Sequence, residues 1–107
     1  MREIVVALST VPMDFEVRQL ARTLVEQQLA ACVTIFPAVQ SVYTWQGAIE
    51  ESQEVQIAIK TTRDRVAALW TALKAAHPYD VPEFLVLSVV DGNPEYLAWV
   101  EKSVPRA

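Results

Sequence analysis

The stretch IVVAL (residues 4–8) is apolar at every position. A strand with one solvent-exposed face alternates apolar and polar side chains, whereas a continuous β-branched run is typical of a strand buried on both faces. The stretch FLVLSVV (residues 84–90) has nearly the same character. We therefore expect strands at both places, the first of them in the centre of a sheet.

Two segments between these strands carry apolar residues at helical spacing. The first follows Pro12, which should end the strand, and Asp14 is a candidate cap for the helix. Its apolar positions form one stripe: Val17, Leu20, Ala21, Leu24 and Val25. Arginine and glutamate side chains lie on the other side, so an amphipathic helix is predicted.

A second amphipathic helix is predicted after Thr61 and Thr62, which can open a helix with their hydroxyl groups. Its apolar stripe consists of Val66, Leu69, Trp70 and Leu73. Pro78 should end it, because the residue before a proline is biased away from helical dihedrals. Asn93 and Pro94 have the residue types of a helix cap and a first helical position, which indicates a short third helix near the C-terminus.

A hairpin is predicted between the two main helices. Residues 31–45 are rich in β-branched and aromatic side chains and predict a long strand, which Pro37 should bend or bulge. Gly47 and the polar run at residues 50–53 indicate a loose turn rather than a tight two-residue one. The alternation at residues 55–60 predicts the returning strand, with one buried face.

The predicted order is β-α-β-β-α-β with a C-terminal helix, an α+β fold of the ferredoxin-like type. One domain over residues 1–107 suits the length of the chain and its 52% hydrophobic composition. Right-handed crossovers place both main helices on the same face of the four-stranded sheet. The opposite face then exposes apolar side chains of the first and last strands, which predicts self-association.

The overall charge argues against nucleic acid as a partner. Thirteen acidic and nine basic residues give a formal net charge of −4, whereas binding to a phosphate backbone favours a basic surface. The apolar runs are far shorter than the roughly 20 residues of a membrane-spanning helix. The N-terminal residues lack the pattern of a signal peptide, and a single cysteine, Cys32, fits a reducing compartment. We therefore expect a cytoplasmic protein that binds neither nucleic acid nor membranes.

The chain contains one histidine, His77, which excludes a metal site built from two imidazoles of the same chain. Cys32 lies in a strand pattern, where a thiol is more often a small core residue than a nucleophile, and no catalytic apparatus is recognisable. His77 has two interpretations. Its imidazole is favoured at the C-terminus of the second helix, where it can bond a final carbonyl. Alternatively, a loop stiffened by Pro78 and Pro82 holds a donor set for a borderline cation such as copper: His77, Tyr79, Asp80 and Glu83.

A second group of candidate residues lies on the hairpin. Strand alternation places Tyr43 and Trp45 on the same side, and Lys60 follows on the returning strand. An aromatic stripe of this kind is typical of an interface or a core. A binding site for a small ligand is the alternative.

Several stretches, taken together, resemble the CutA family of divalent-cation-tolerance proteins over nearly the whole chain. These stretches are LAACV (29–33), SVYTWQG (41–47), IKTT (59–62), HPYDVPE (77–83) and YLAW (96–99). The resemblance implies a ferredoxin-like subunit in a homotrimer, with sheets packed inward and long hairpins embracing the neighbours. It also implies a cytoplasmic role in tolerance of divalent metals, notably copper, and no known reaction.

The resemblance also suggests where a metal would bind. Family members with proposed copper ligands place a thiol after the first strand and two histidines before the Pro-Tyr step. Here Ser9 takes the place of the thiol, and Ala76 with His77 takes the place of the pair. We expect copper or another divalent cation to bind weakly through His77 and Glu83 at clefts between subunits, and folding to need no cofactor. The other candidate cleft residues are Ser9, Cys32, Tyr43, Trp45, Lys60 and Tyr79.

Two other functions fit the same features. A regulatory trimer similar to the PII signalling proteins would bind a small anionic molecule in the cleft between subunits, with Lys60 and Trp45 as contacts. A trimeric scaffold that binds a partner protein would need no small ligand.

Overall fold

The computed structural model describes residues 2–107, and within them the backbone forms four strands and three α-helices. The strands are β1 (Ile4–Pro12), β2 (Cys32–Trp45), β3 (Ala48–Thr62) and β4 (Leu85–Ser88). The helices are α1 (Val17–Glu26), α2 (Val66–Ala76) and α3 (Pro94–Ser103). This is the predicted β-α-β-β-α-β order with its C-terminal helix. None of these helices is both long and apolar enough to cross a membrane.

The four strands form one antiparallel sheet in the order β2-β3-β1-β4. Strand β1 pairs with β3 along its whole length, from Ile4 opposite Thr62 to Pro12 opposite Glu54. On its other side it pairs with β4 over residues 5–8 only. The central position predicted for β1 is therefore confirmed.

The two faces of the sheet have different covers. Odd-numbered residues of β1 and β3, such as Val11 and Ile57, pack with apolar residues of α1 and α2 in the main core. We call the opposite side the open face; it carries the even-numbered residues of β1 and β3 and, on β4, Leu85 and Leu87. Helix α3 covers one end of it, where Ile4 packs against residues of that helix. Leu85 and Leu87 remain 54% and 50% exposed, so the predicted apolar patch is present.

Strands β2 and β3 continue beyond the sheet as a two-stranded arm, residues 39–53. Strand β1 ends opposite Glu54, so nothing flanks the arm within the described sheet. The pairing of β2 with β3 shifts register between Phe36 and Val39. Pro37 lies within this irregularity, which confirms the predicted bulge.

The turn at the tip of the arm differs from the prediction. Trp45 pairs with Ala48, so only Gln46 and Gly47 form the loop, with φ of 50° and 82°. Two positive φ values in a two-residue loop match the twist of the flanking strands. The polar run at residues 50–53 misled the prediction, because both faces of an arm outside the sheet are solvated and its strand residues can be polar.

Other boundaries differ from the sequence pattern. Thr61 and Thr62 do not cap a helix; both are buried in β3, and a 3-10 turn (Arg63–Arg65) precedes α2. Helix α1 begins at Val17 without a side-chain cap, so the predicted role of Asp14 is wrong. Strand β4 is shorter than predicted.

Arg2 joins the two ends of the chain. Its guanidinium, only 8% exposed, donates to both carboxylate oxygens of Asp64 at 3.2 Å and to the carbonyl oxygen of Glu101 at 3.0 Å. The backbone N–H of Ala107 also donates to Asp64. Burial opposes ionisation of Asp64 most strongly, but the hydrogen bonds from Ala107, Arg2 and Thr62 together hold its pKa well below the usual range.

We expect Arg2→Met to lower the free energy of unfolding by about 1–3 kcal/mol, as for lost hydrogen bonds between charged groups. Because the folded-state pKa of Asp64 is depressed, its stabilisation is present above the unfolded pKa and is lost as pH falls. Urea unfolding from pH 7 to pH 3, at fixed protein concentration, should show a shallower acid decline for the variant. Arg18→Met, on the exposed side of α1, is the control. Identical acid profiles of variant and wild type would contradict this role.

Candidate functional site

The loop after α2 carries the predicted metal ligands. Helix α2 ends at Ala76, and His77 adopts extended dihedrals (φ −79°, ψ 135°) before Pro78, as predicted. The His77 ring is buried, with 9% exposure. Its Nε2 lies 2.8 Å from the carbonyl oxygen of Thr10, and its Nδ1 lies 3.1 Å from the backbone nitrogen of Tyr79. The Tyr79 N–H must donate to Nδ1, so Nε2 carries the proton and donates to Thr10.

These contacts place His77 at the edge of β1. Strand β4 stops at Leu85, opposite Leu8, so no strand lies beside Thr10 on that side within the described residues. The imidazole supplies the hydrogen bond that a longer β4 would have given to the Thr10 carbonyl. Ligation of a metal by His77 therefore requires one of its two bonds to the backbone to break.

The hydroxyl of Tyr79 contacts the carboxylate of Glu54, and Glu83 lies near that carboxylate. This hydroxyl donates to Oε2 of Glu54 at 2.8 Å, and Glu54 is only 7% exposed. Burial and then the charge of Glu54 raise the pKa of Glu83. Burial, the hydrogen bond to Glu54 and its charge raise the pKa of Tyr79 to about 12. In the described part of the chain, neither carboxylate has a cationic side chain within salt-bridge distance.

Ser9 directly precedes Thr10, whose carbonyl contacts His77, but the Ser9 side chain lies in the core. It pairs with Ile57 in the sheet, faces the main core and is fully buried. Its hydroxyl oxygen makes no hydrogen bond to any residue of the described range. The hydrogen bonds of the His77 ring within residues 2–107 go to Thr10 and Tyr79, and Ser9 takes part in neither.

A third group of predicted residues lies on the open face. The ammonium of Lys60 contacts the hydroxyl of Thr34 closely and lies 3.9 Å from the thiol sulfur of Cys32. Burial and then the nearby Cys32 thiol raise the pKa of Tyr96. Tyr96 belongs to α3, so this helix also lies beside Cys32. Tyr43 and Trp45 are exposed on the arm, and the Tyr43 hydroxyl lies 3.4 Å from the hydroxyl of Ser52.

The structure therefore divides the predicted site. His77, Tyr79 and Glu83 form one cluster, joined by Glu54, whereas Cys32 and Lys60 form another. Sequence reasoning missed Glu54, Thr34 and Tyr96. Strand alternation would have placed Thr34 beside Cys32, but no local signal links Glu54 to Tyr79. Within residues 2–107 no three His, Cys, Asp or Glu side chains are placed to hold a metal ion. A groove of about 500 Å³ beside α1 and α2 contains none of the predicted residues.

An antiparallel four-stranded sheet with two helices on one face and a long two-stranded arm defines an α+β protein of the β-α-β-β-α-β class. The family model of the CutA1 divalent ion tolerance protein matches residues 5–103, and the chain belongs to this family. The divalent-cation tolerance protein CutA of Pectobacterium atrosepticum is 47% identical over 100 residues, covering 94% of this chain and 91% of the relative. The name describes tolerance of cations and states no reaction.

Solved structures show the same fold. The crystal structure of CutA1 from Oryza sativa has a TM-score of 0.93 and 37% identity, with 99% of this chain and 97% of the other covered. A structure named PII-like protein CutA from Nostoc sp. PCC 7120, in apo form, has a TM-score of 0.87 and 30% identity, with 96% and 99% covered. The similarity to the family expected from the sequence is thus confirmed.

Tyr79→Phe tests the cluster around Glu54. The variant leaves the buried Glu54 carboxylate without its donor, so we expect a loss of about 1–3 kcal/mol in the free energy of unfolding at pH 7. The raised pKa of Tyr79 means that its stabilisation is present below the unfolded pKa near 10 and is lost as pH rises towards about 12.

Chemical unfolding at pH 7 to 12 should therefore decline less steeply for the variant than for wild type. Thr71→Val, which removes an exposed hydroxyl on α2, should change the stability at pH 7 by less than about 0.5 kcal/mol. Equal stability of Tyr79→Phe and wild type at pH 7 would show that the hydrogen bond contributes nothing.

Proposed function

We propose that this chain acts in divalent-cation tolerance as a non-catalytic, cytoplasmic homotrimer that binds a divalent cation, copper first among them, at clefts between subunits. The observation that carries the proposal is the buried Glu54 carboxylate, which accepts a hydrogen bond from Tyr79 and lies near enough to Glu83 for its charge to act on that carboxyl group. Burial and then the charge of Glu54 raise the pKa of Glu83, so the ionised form of Glu83 is disfavoured there. A bound cation would remove this cost, because an opposite charge favours the ionised carboxylate.

The open face supports assembly. Leu85 and Leu87 are about half exposed in the single subunit, and covering apolar area is favourable by roughly 25 cal/mol per Å². The exposed aromatic side chains of the arm add to the apolar surface that a second subunit can cover. Three subunits are the number implied by the family resemblance.

Light scattering tests the assembly directly. We expect a mass near three subunits of 12.0 kDa for wild type. Leu87→Glu, which places a charge on the open face, should shift the mass towards one subunit. Val25→Glu, at an exposed position of α1, should leave the mass unchanged. A monomeric wild type would contradict the proposed assembly.

The two proposed ligands differ in what binding requires of them. Glu83 offers carboxylate oxygens, whereas His77 has to release Nδ1 from the Tyr79 N–H or Nε2 from Thr10 before it can coordinate. Imidazole and carboxylate together suit copper. Affinity should fall as pH falls, because protons compete for Glu83, whose pKa is raised.

Copper titration by calorimetry tests the cation site. We expect Glu83→Gln to weaken binding by about tenfold or more, and His77→Gln to weaken it as well. Glu95→Gln, which changes an exposed carboxylate at the start of α3, should bind like wild type. Equal binding by wild type and Glu83→Gln would contradict the cation site, and equal binding by His77→Gln would remove His77 from it.

The neighbour named PII-like favours a second candidate, a regulatory trimer that binds a small anion through Lys60 and Trp45. A panel of small phosphates and carboxylates would then raise the melting temperature of wild type but not of Lys60→Met. If the chain is instead a partner-binding scaffold, neither the small anions nor copper should change its melting temperature.

A further inference from the structure

The open face carries few charges along its strands. On β3 the even-numbered residues face this side, and the charged ones among them are Glu50, Glu54 and Lys60. The open-face positions of β1, β2 and β4 within the described strands are apolar or uncharged. Glu54 is buried and accepts a hydrogen bond from Tyr79. Lys60 and Glu50 are therefore the open-face charges of the strands that have no such partner.

Among the described residues, the hydrogen-bond contacts of the Lys60 side chain are with neutral groups. Its ammonium is half-buried and touches the Thr34 hydroxyl and the Cys32 thiol. The ion pairs formed by residues 2–107 involve the arginines Arg2, Arg22 and Arg63, and none includes Lys60. In the single subunit, water compensates the charge.

A second subunit that covers the open face would remove this water. An ammonium without an opposite charge is costly to bury, so the covering subunit has to bring an anionic group. Glu50 meets this need because it is exposed on the arm. Its cross-strand neighbour is Tyr43, and Trp45 follows on the same side of the arm. An aromatic ring beside a carboxylate suits an ammonium, which is attracted to both.

Glu50 and Lys60 of the same chain cannot meet. They lie ten positions apart on one extended strand, which corresponds to about 33 Å. Each subunit therefore carries a free anion at its arm and a free cation at its base. In a closed ring of subunits, the arm of each subunit can contact the base of the next, so that every anion meets a cation.

We infer that Glu50 on the arm of one subunit pairs with Lys60 on the open face of a neighbouring subunit. The inference rests on the proposed self-association and names the charges that fix its register. Reversal of either charge places like charges together, which disfavours the contact.

A charge-swap experiment tests the pair. Lys60→Glu and Glu50→Lys should each raise the subunit concentration of half-dissociation by at least about tenfold, measured by light scattering at low salt in a fixed, mildly dissociating urea concentration. The double variant Lys60→Glu with Glu50→Lys should regain most of the loss. Glu51→Lys is the matched control, because Glu51 pairs with Val42 and lies on the other side of the arm.

The outcomes separate the pair from the assembly. A monomeric wild type would overturn the self-association and with it the pair. An assembled wild type, with single variants that dissociate normally or a double variant no better than the singles, would overturn the pair alone. Stabilisation of wild type by small anions with no effect of Glu50→Lys would instead assign Lys60 to a bound anion.

The neutral variants Lys60→Met and Glu50→Gln cover the case in which a reversed charge prevents folding. For a true pair the two losses should be strongly non-additive in the double variant. Additive losses would overturn the pair.

Discussion

The unequal pairing of β1 on its two sides determines the arrangement of both candidate sites. Strand β3 accompanies β1 along its nine residues, whereas β4 accompanies only residues 5–8. The edge of β1 beyond Leu8 would leave a carbonyl without a strand partner, and the loop after α2 supplies one through the His77 ring. The same shortness of β4 leaves space for Tyr79 to reach Glu54 on β3. The loop therefore closes a sheet edge and at the same time gathers the carboxyl groups proposed to bind a cation.

The open face is the side of the sheet that α1 and α2 do not cover. A four-stranded sheet with both crossover helices on one side buries the odd-numbered residues of β1 and β3 and leaves the even-numbered ones for another surface. Helix α3 meets part of this need around Ile4. The rest of the open face carries the side chains of Leu85 and Leu87 and the ammonium of Lys60. Apolar area favours association without direction, whereas Lys60 gives it direction, because a buried charge tolerates few arrangements.

The fold was largely predictable from local patterns. The continuous apolar run at residues 4–8 identified the central strand, and Pro37 marked the bulge. The errors arose where a residue type suits two structures. Threonine is common both as a helix cap and in strands. Thr62 lies in a strand because it pairs with Ile4 of β1. The polar run at residues 50–53 suits a turn, yet Gln46 and Gly47 alone reverse the chain.

The candidate site was predictable only in part, because its bonds join distant parts of the chain. His77 and Thr10 are separated by 67 positions, and Tyr79 and Glu54 by 25. A sequence pattern identifies the residue types of a loop. It does not identify the distant backbone carbonyl, here that of Thr10, to which the ring nitrogen of His77 donates a hydrogen bond. His77 lies at the end of the second helix, as expected, but its ring bonds the carbonyl of Thr10 at the edge of a strand rather than a carbonyl of the helix. Glu54 looked like one more polar residue near the end of a hairpin, although it is buried.

The engaged imidazole changes the chemistry available to a cation at this loop. In the proposed site the donors are carboxylate and phenol oxygens of Glu83, Glu54 and Tyr79, and the ring of His77 would join them only by giving up a hydrogen bond to the backbone. Oxygen donors alone are the set that harder divalent cations prefer. Copper nevertheless binds a given nitrogen and oxygen site more strongly than the other divalent first-row metals do. The proposed site would therefore favour copper over those metals without a thiol at position 9 or a second imidazole, at the lower affinity that a weak and shared ligand set provides.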